Sequence, residues 1–119
     1  MSRDYTKLMV FHETDKLALD LYLLTKRFPK EEMFGITSQL RRAVLSVPTN
    51  IVEGSQRNTT NDYLHFLTIA LGSLAEVGYL TSFAHRLGYL TVEEVEKVLT
   101  QQKSCIKMLQ ALINSHKKD

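Results

Sequence analysis

A chain of 119 residues makes one domain, long enough to bury a single core without disulfides or metals as staples. Its 44% hydrophobic and 24% charged residues exclude a disordered polyelectrolyte and fit a globular protein. A net charge of +2 is far from a histone-like balance, and a single cysteine, Cys105, excludes an internal disulfide or a cysteine metal cluster.

Four helices account for nearly the whole sequence. The first is predicted over residues 7–27, with Phe11, Ala18, Leu21 and Leu24 on one side and Leu8, Leu17 and Tyr22 widening the stripe. Lys26 and Arg27 suit the negative end of its dipole, and Phe28-Pro29 stops it.

The second helix lies within residues 34–57, FGITSQLRRAVLSVPTNIVEGSQR. Ile36, Leu40, Ala43, Val44, Val47 and Ile51 recur every three or four residues and define its buried face. Leu45 and Val52 sit roughly opposite, so this helix is expected to be covered on two sides, once by its own core and once by a second subunit. Thr37 or Ser38 is the expected cap, and Gly54 suits a left-handed residue just past the end. Pro48 cannot donate to the carbonyl of Val44, which predicts a kink or two short helices meeting.

The third helix is predicted over residues 61–86, behind a capping box of Thr59 and Asp62. Between Tyr63 and Ala84 its sole carboxylate is Glu76, and it has no lysine or arginine. Tyr63, Phe66, Leu67, Ala70, Leu71, Leu74, Val77 and Gly78 make the main stripe; Ile69, Leu80, Phe83 and Leu87 make another. The length would suit a membrane span. His65, Thr68, Ser73, Glu76, Thr81 and Ser82 argue against one, and the reading taken is a helix buried nearly all round, with a subunit interface on its second stripe. Gly78 falls on the core stripe, where a missing side chain lets another helix approach. The fourth helix is predicted over residues 92–115, with a Thr91 and Glu94 capping box and a stripe of Val92, Val95, Leu99, Gln102, Ile106, Leu109 and Ile113. Gly88 separates the last two helices. Short connections predict an all-α, antiparallel up-down four-helix bundle whose last residues, 116–119, fray.

Residues that carry chemistry are sparse. No two of His12, His65, His85 and His116 stand at i, i+4, and the Glu-x-x-His pairing of di-iron bundles is absent, so no metal or cofactor is expected. Cys105 reads as a small residue at the edge of the core. No phosphate loop or nucleophile–base pair is evident, so no enzyme activity is expected. The cysteine usage fits a reducing cytosol, and the N-terminus lacks a signal peptide's apolar run, which makes a cytoplasmic protein the expectation.

Two constellations remain. Gln39, Arg42, Ser46, Asn50 and Glu53 form a polar stripe on the second helix. Read structurally, it is a buried or half-buried network in which Glu53 pairs with an arginine of another helix or subunit and Asn50 bonds backbone near Pro48. Read functionally, it is a small-molecule or anion pocket, or an enzyme site, which would need convergent groups from several elements. The structural reading is the one preferred. The second constellation is basic: Lys26, Arg27 and Lys30, then Arg41 and Arg42, then Arg57, with Lys97, Lys103, Lys107, Lys117 and Lys118 along the fourth helix. Repeated around a ring, such clusters would make a field able to hold nucleic-acid phosphates without reading bases.

The chain resembles the four-helix-bundle family of 23S rRNA intervening-sequence proteins. The residues that carry the resemblance are Leu8, Phe11, Phe28-Pro29, Phe34-Gly35, Thr37-x-Gln39-Leu40-Arg41-Arg42-Ala43, Ser46-x-Pro48-x-Asn50-Ile51-x-Glu53-Gly54, Phe66-Leu67-x-Ile69-Ala70-x-Gly72-Ser73 and Glu76. Phe11 stands where the family usually has tryptophan, and Val52 where it usually has alanine. The resemblance implies a left-handed up-down bundle, homo-oligomers that are typically pentameric rings, and no established catalysis. A related branch serves reverse transcriptases of diversity-generating retroelements, which implies RNA, DNA or a nucleic-acid enzyme as partner.

Overall fold

A computed structural model describes residues 3–117. Four α-helices follow in order: α1 (Met9–Leu24), α2 (Ile36–Ser55), α3 (Thr60–Arg86) and α4 (Val92–Lys117). Among the described residues there is no strand, and three short 3-10 turns fill the remaining structure at Tyr5–Lys7, Thr25–Arg27 and Lys30–Glu32. α3, at 27 residues, is about 40 Å long. The molecule measures 46 × 24 × 19 Å, so its long helices lie along the long axis, and the short links between them make neighbours antiparallel. α2 packs on α1 and α3, and α4 closes the bundle between α3 and α1.

Caps set the helix ends. The Thr59 hydroxyl accepts from the Asp62 N–H at 3.1 Å. At α4 the exchange is reciprocal: Glu94 N–H donates to the Thr91 hydroxyl at 3.2 Å, and Thr91 N–H donates to the Glu94 carboxylate at 2.8 Å. α2 differs from expectation. Its cap position is Gly35, and Thr37 is already inside the helix with its side chain buried. The helix also runs unbroken through Pro48, so it is one helix and not two short ones.

The core is the face that periodicity selects. Leu17 and Leu21 of α1, Leu40, Val44, Val47 and Ile51 of α2, Leu67, Leu74 and Val77 of α3, and Leu109 of α4 are fully buried. α4 turns slightly from its predicted stripe: Val98 and Cys105 are buried, whereas Val92 is exposed. Cys105 is thus a core residue rather than one at the edge. Burial, then the nearby Glu13 charge, pushes its thiol up to about 11. It is expected to resist alkylation by iodoacetamide at pH 8 in the folded protein and to react once urea unfolds the chain.

Glycines mark two close approaches. A Cβ on Gly78 would lie 2.7 Å from Nε2 of Gln102, a buried side chain that donates to the Leu74 carbonyl at 3.0 Å, so α4 approaches α3 there as expected. Gly54 is not a left-handed stop: it is helical, and a Cβ would meet Phe66 Cβ at 3.0 Å and Tyr63 Cδ1 at 3.2 Å. The left-handed residue is Gly88, with φ of 86°, after α3. Gly72 is different. It lies in mid-helix with nothing within 4 Å of its missing Cβ, at a cost of about 1 kcal/mol relative to alanine.

Candidate functional site

The polar stripe of α2 lies along its seam with α3. Asn50 Nδ2 donates to the Ser46 carbonyl at 2.8 Å and to its hydroxyl at 2.9 Å, and that hydroxyl bonds Ser73 of α3 at 3.0 Å. Asn50 therefore bonds backbone two residues before Pro48, as its spacing suggested. One turn away, Arg42 stands 3.7 Å from Glu76. The stripe does not converge on one cavity. Gln39 alone of its members enters the open groove of about 390 Å³ between α2 and α3, beside Glu32, Ile36, Tyr79, Leu80, Phe83 and Leu87.

Glu53 departs from expectation. Its side chain is 53% exposed, and its partner is Arg57, 2.7 Å away and four residues on, not an arginine from another helix. The last turn of α2 disfavours a carboxylate, and the neighbouring guanidinium offsets this. Exposed i,i+4 pairs are worth little, so Glu53→Ala is expected to cost at most about 0.5 kcal/mol in urea unfolding. A loss as large as a buried pair gives would show that Glu53 is covered in solution.

Three of the basic candidates, Arg27, Arg41 and Arg57, are engaged within the chain. Arg27 forms a two-pronged salt bridge with Glu94 and donates to the Tyr89 carbonyl at 3.2 Å. Arg41 donates to the Thr25 hydroxyl at 2.9 Å and the Tyr22 carbonyl at 3.3 Å, with its guanidinium 5.0 Å above the Tyr22 ring. It pins the end of α1 to α2. Arg57 serves Glu53 and lies 4.6 Å over the Phe66 ring. Lys26 and Lys30 are exposed and, among the described residues, have no ion-pair partner; Arg42 is 68% exposed. Lys118 lies outside the described residues.

The Arg27–Glu94 bridge joins the end of α1 to the start of α4. The bond from Arg27, then the Thr91 N–H, holds the Glu94 carboxyl down from the ordinary 4.5 to about 2. A pKa lower in the folded state stabilises the fold fully above about pH 4.5 and is lost as pH falls toward 2. The melting-temperature gap between the wild type and Glu94→Gln is therefore expected to narrow from pH 6 to pH 2. A constant gap would mean that the bridge adds nothing.

What periodicity underrated is an aromatic surface. On the outer side of α3, Tyr79 is 61% exposed, its ring centroid is 6.1 Å from that of Phe83, and Arg86 lies 4.9 Å over Phe83. Ile69 and Leu87 are exposed on the same side, and Phe34, 93% exposed, stands in the turn that enters α2. Leu80, assigned to the same stripe, is buried. The spacing Tyr79–Phe83–Leu87, each four apart, is the signal that places Tyr79 here. Among the described residues α3 is the one helix long and apolar enough to cross a membrane, and α2 and α4 cover its inner face.

Among the described residues no three His, Cys, Asp or Glu side chains are grouped to hold a metal. His12 Nε2 is bonded to the Thr6 carbonyl at 2.6 Å and His85 Nδ1 to the Leu90 carbonyl at 2.9 Å. His116 packs perpendicular to the ring of buried Tyr63, with centroids 5.1 Å apart, and Arg3 lies over the Tyr63 ring.

The profile of the 23S rRNA-intervening sequence protein family matches residues 6–111. No curated protein matches the sequence. A similar fold is found in the crystal structure of a protein of unknown function from the S23 ribosomal protein family of Bacteroides thetaiotaomicron. The two are 24% identical, with a TM-score of 0.81 over 88% of this chain and 95% of that one.

Proposed function

We propose that this chain, which belongs to the 23S rRNA-intervening sequence protein family, is a non-enzymatic interaction protein that works as a homo-oligomer and binds nucleic acid or a nucleic-acid enzyme. The observation that carries the reading is the outer side of α3. Tyr79, Phe83 and Leu87, each four residues apart, leave an apolar strip in water near the end of α3, and Ile69 is exposed further along the same side beyond Gly72 and Glu76. Contiguous exposed apolar surface of this kind marks an association site. A ring, pentameric by the family resemblance, would also multiply the exposed cations Lys26, Lys30 and Arg42, so that weak sites gain avidity.

Light scattering at micromolar concentration should give several times the chain mass; a clean monomer overturns the oligomer. Mixed-sequence single-stranded RNA should bind at about 50 mM salt and lose most of its affinity by about 200 mM, because phosphate contacts release counterions. Lys26→Ala with Lys30→Ala should flatten that salt dependence. Absence of binding at either salt would leave a protein as the partner.

A further inference from the structure

We infer that the open groove between α2 and α3 seats an arginine side chain of a different protein, with Glu32 as its carboxylate and Tyr79 as its aromatic wall. The inference rests on the reading that the outer side of α3 is an association surface, and it names the chemistry of what associates there. The groove, of about 390 Å³, has Ile36 and Leu80 among its apolar walls. Apolar clefts of this size with a few placed polar groups are where ligands anchor. Glu32 is the one charged residue in the lining.

Glu32 is held in position. Its Oε2 accepts from the Tyr89 hydroxyl at 2.7 Å. Its Oε1 occupies the space left by Gly35, where a Cβ would lie 2.6 Å away. Neither Glu32 nor its neighbour Glu31 has an ion-pair partner among the described residues. The bond to Glu32, then burial, then the charges of Glu32 and Glu31 raise the Tyr89 phenol, so both carboxylates act at this end of the bundle. The groove therefore repels phosphate and attracts a cation.

The aromatic wall selects the kind of cation. A guanidinium is planar, stacks on rings and grips a carboxylate through paired N–H groups, which an ammonium does not. Among the described residues arginines lie over Tyr22, Tyr63, Phe66 and Phe83, and none over Tyr79, whose side chain is exposed. Arg86, over Phe83, places a guanidinium on this surface already, and it makes no ion pair with Glu32. Gln39 also lines the groove, and its side-chain carbonyl can accept a further N–H.

A second copy of this chain is not the donor. Each of its arginines is engaged within its own fold: Arg3 with Thr60, Arg27 with Glu94, Arg41 with Thr25, Arg42 with Glu76, Arg57 with Glu53 and Arg86 with Phe83. An enzyme that works on nucleic acid carries such arginines to hold phosphates, and an arginine seated in a pocket is a frequent anchor of protein–protein binding. Other places select no charge. Glu76, further along α3, is met by Arg42 at 3.7 Å. The larger groove of about 420 Å³ between α1 and α4 is lined by both signs, Asp20 and Lys97, and its Glu94 is held by Arg27.

The probe is the peptide acetyl-Gly-Arg-Gly-amide, with its citrulline counterpart, of the same shape and no charge, as control. Titrated into the isotope-labelled full chain and followed by NMR, the arginine peptide should shift the amides of Glu32, Tyr79 and Phe83 and saturate in the millimolar range. The citrulline peptide should bind about tenfold more weakly. Glu32→Gln keeps an acceptor for Tyr89 and should erase the preference for arginine. Tyr79→Leu, at an exposed side chain that can change without unfolding the bundle, should weaken the arginine peptide severalfold. Equal binding of the two peptides to the wild type overturns the inference and leaves the association surface standing. No shift with the arginine peptide overturns it too; light scattering on the same sample then shows whether the association reading falls with it, a monomer removing both and an oligomer only this one. Mixed-sequence single-stranded RNA that shifts these amides more strongly in Glu32→Gln than in the wild type gives the groove to nucleic acid and overturns it as well.

Discussion

Leu74→Ala is expected to destabilise the protein by about 3–5 kcal/mol, the upper range for truncating a buried leucine. Leu74 lies in the middle of α3 and has no exposed surface. Its backbone carbonyl receives the Gln102 amide from α4, and Gln102 in turn sits against Gly78, so the backbone on this side is held in place. A site that cannot collapse keeps its cavity, and the cavity adds to the lost transfer energy. Against a total stability of about 5–15 kcal/mol, such a loss leaves a visibly unfolded fraction at moderate temperature. Urea unfolding at one fixed protein concentration should show a lower midpoint with an unchanged slope, since association shifts apparent stability. A loss below about 1 kcal/mol would mean that the helices relax into the space.

Gly54→Val is expected to cost about 3 kcal/mol, through overpacking instead of a void. Even a Cβ at this position would lie 3.0 Å from Phe66 Cβ, an atom fixed to the α3 backbone, so the helices themselves must separate. Valine adds two methyl groups beyond that. Tyr63, the other neighbour, is buried under Arg3 and His116 and has little room to turn. The contrasting substitution is Gly72→Ala, which meets nothing within 4 Å. It should raise stability by about 1 kcal/mol, from helix propensity alone. Equal effects at the two glycines would show that helix propensity, and not helix–helix distance, governs both.

The local physics of this chain is written in its residue order. The four helices, the capping pairs Thr59–Asp62 and Thr91–Glu94, and the buried face of α2 all follow from spacing. A helix places residues three and four apart on one side whatever surrounds it. Gly78 also belongs here, because it falls on the stripe that must meet another helix. What stands opposite a residue is not local, and there the tertiary structure decided. Gly54 reads as a helix stop but is a contact point, because α3 returns across it. Glu53 reads as buried but is 53% exposed, because Arg57, four residues on, pairs it at the surface. Arg27 and Arg41 read as free cations for phosphate, yet Glu94 arrives from 67 residues away and Thr25 from a turn that closes α1. The apolar residues that remain outside, Tyr79 and Leu19 among them, are set by the count of helices: four cover one side of each neighbour and leave the other in water.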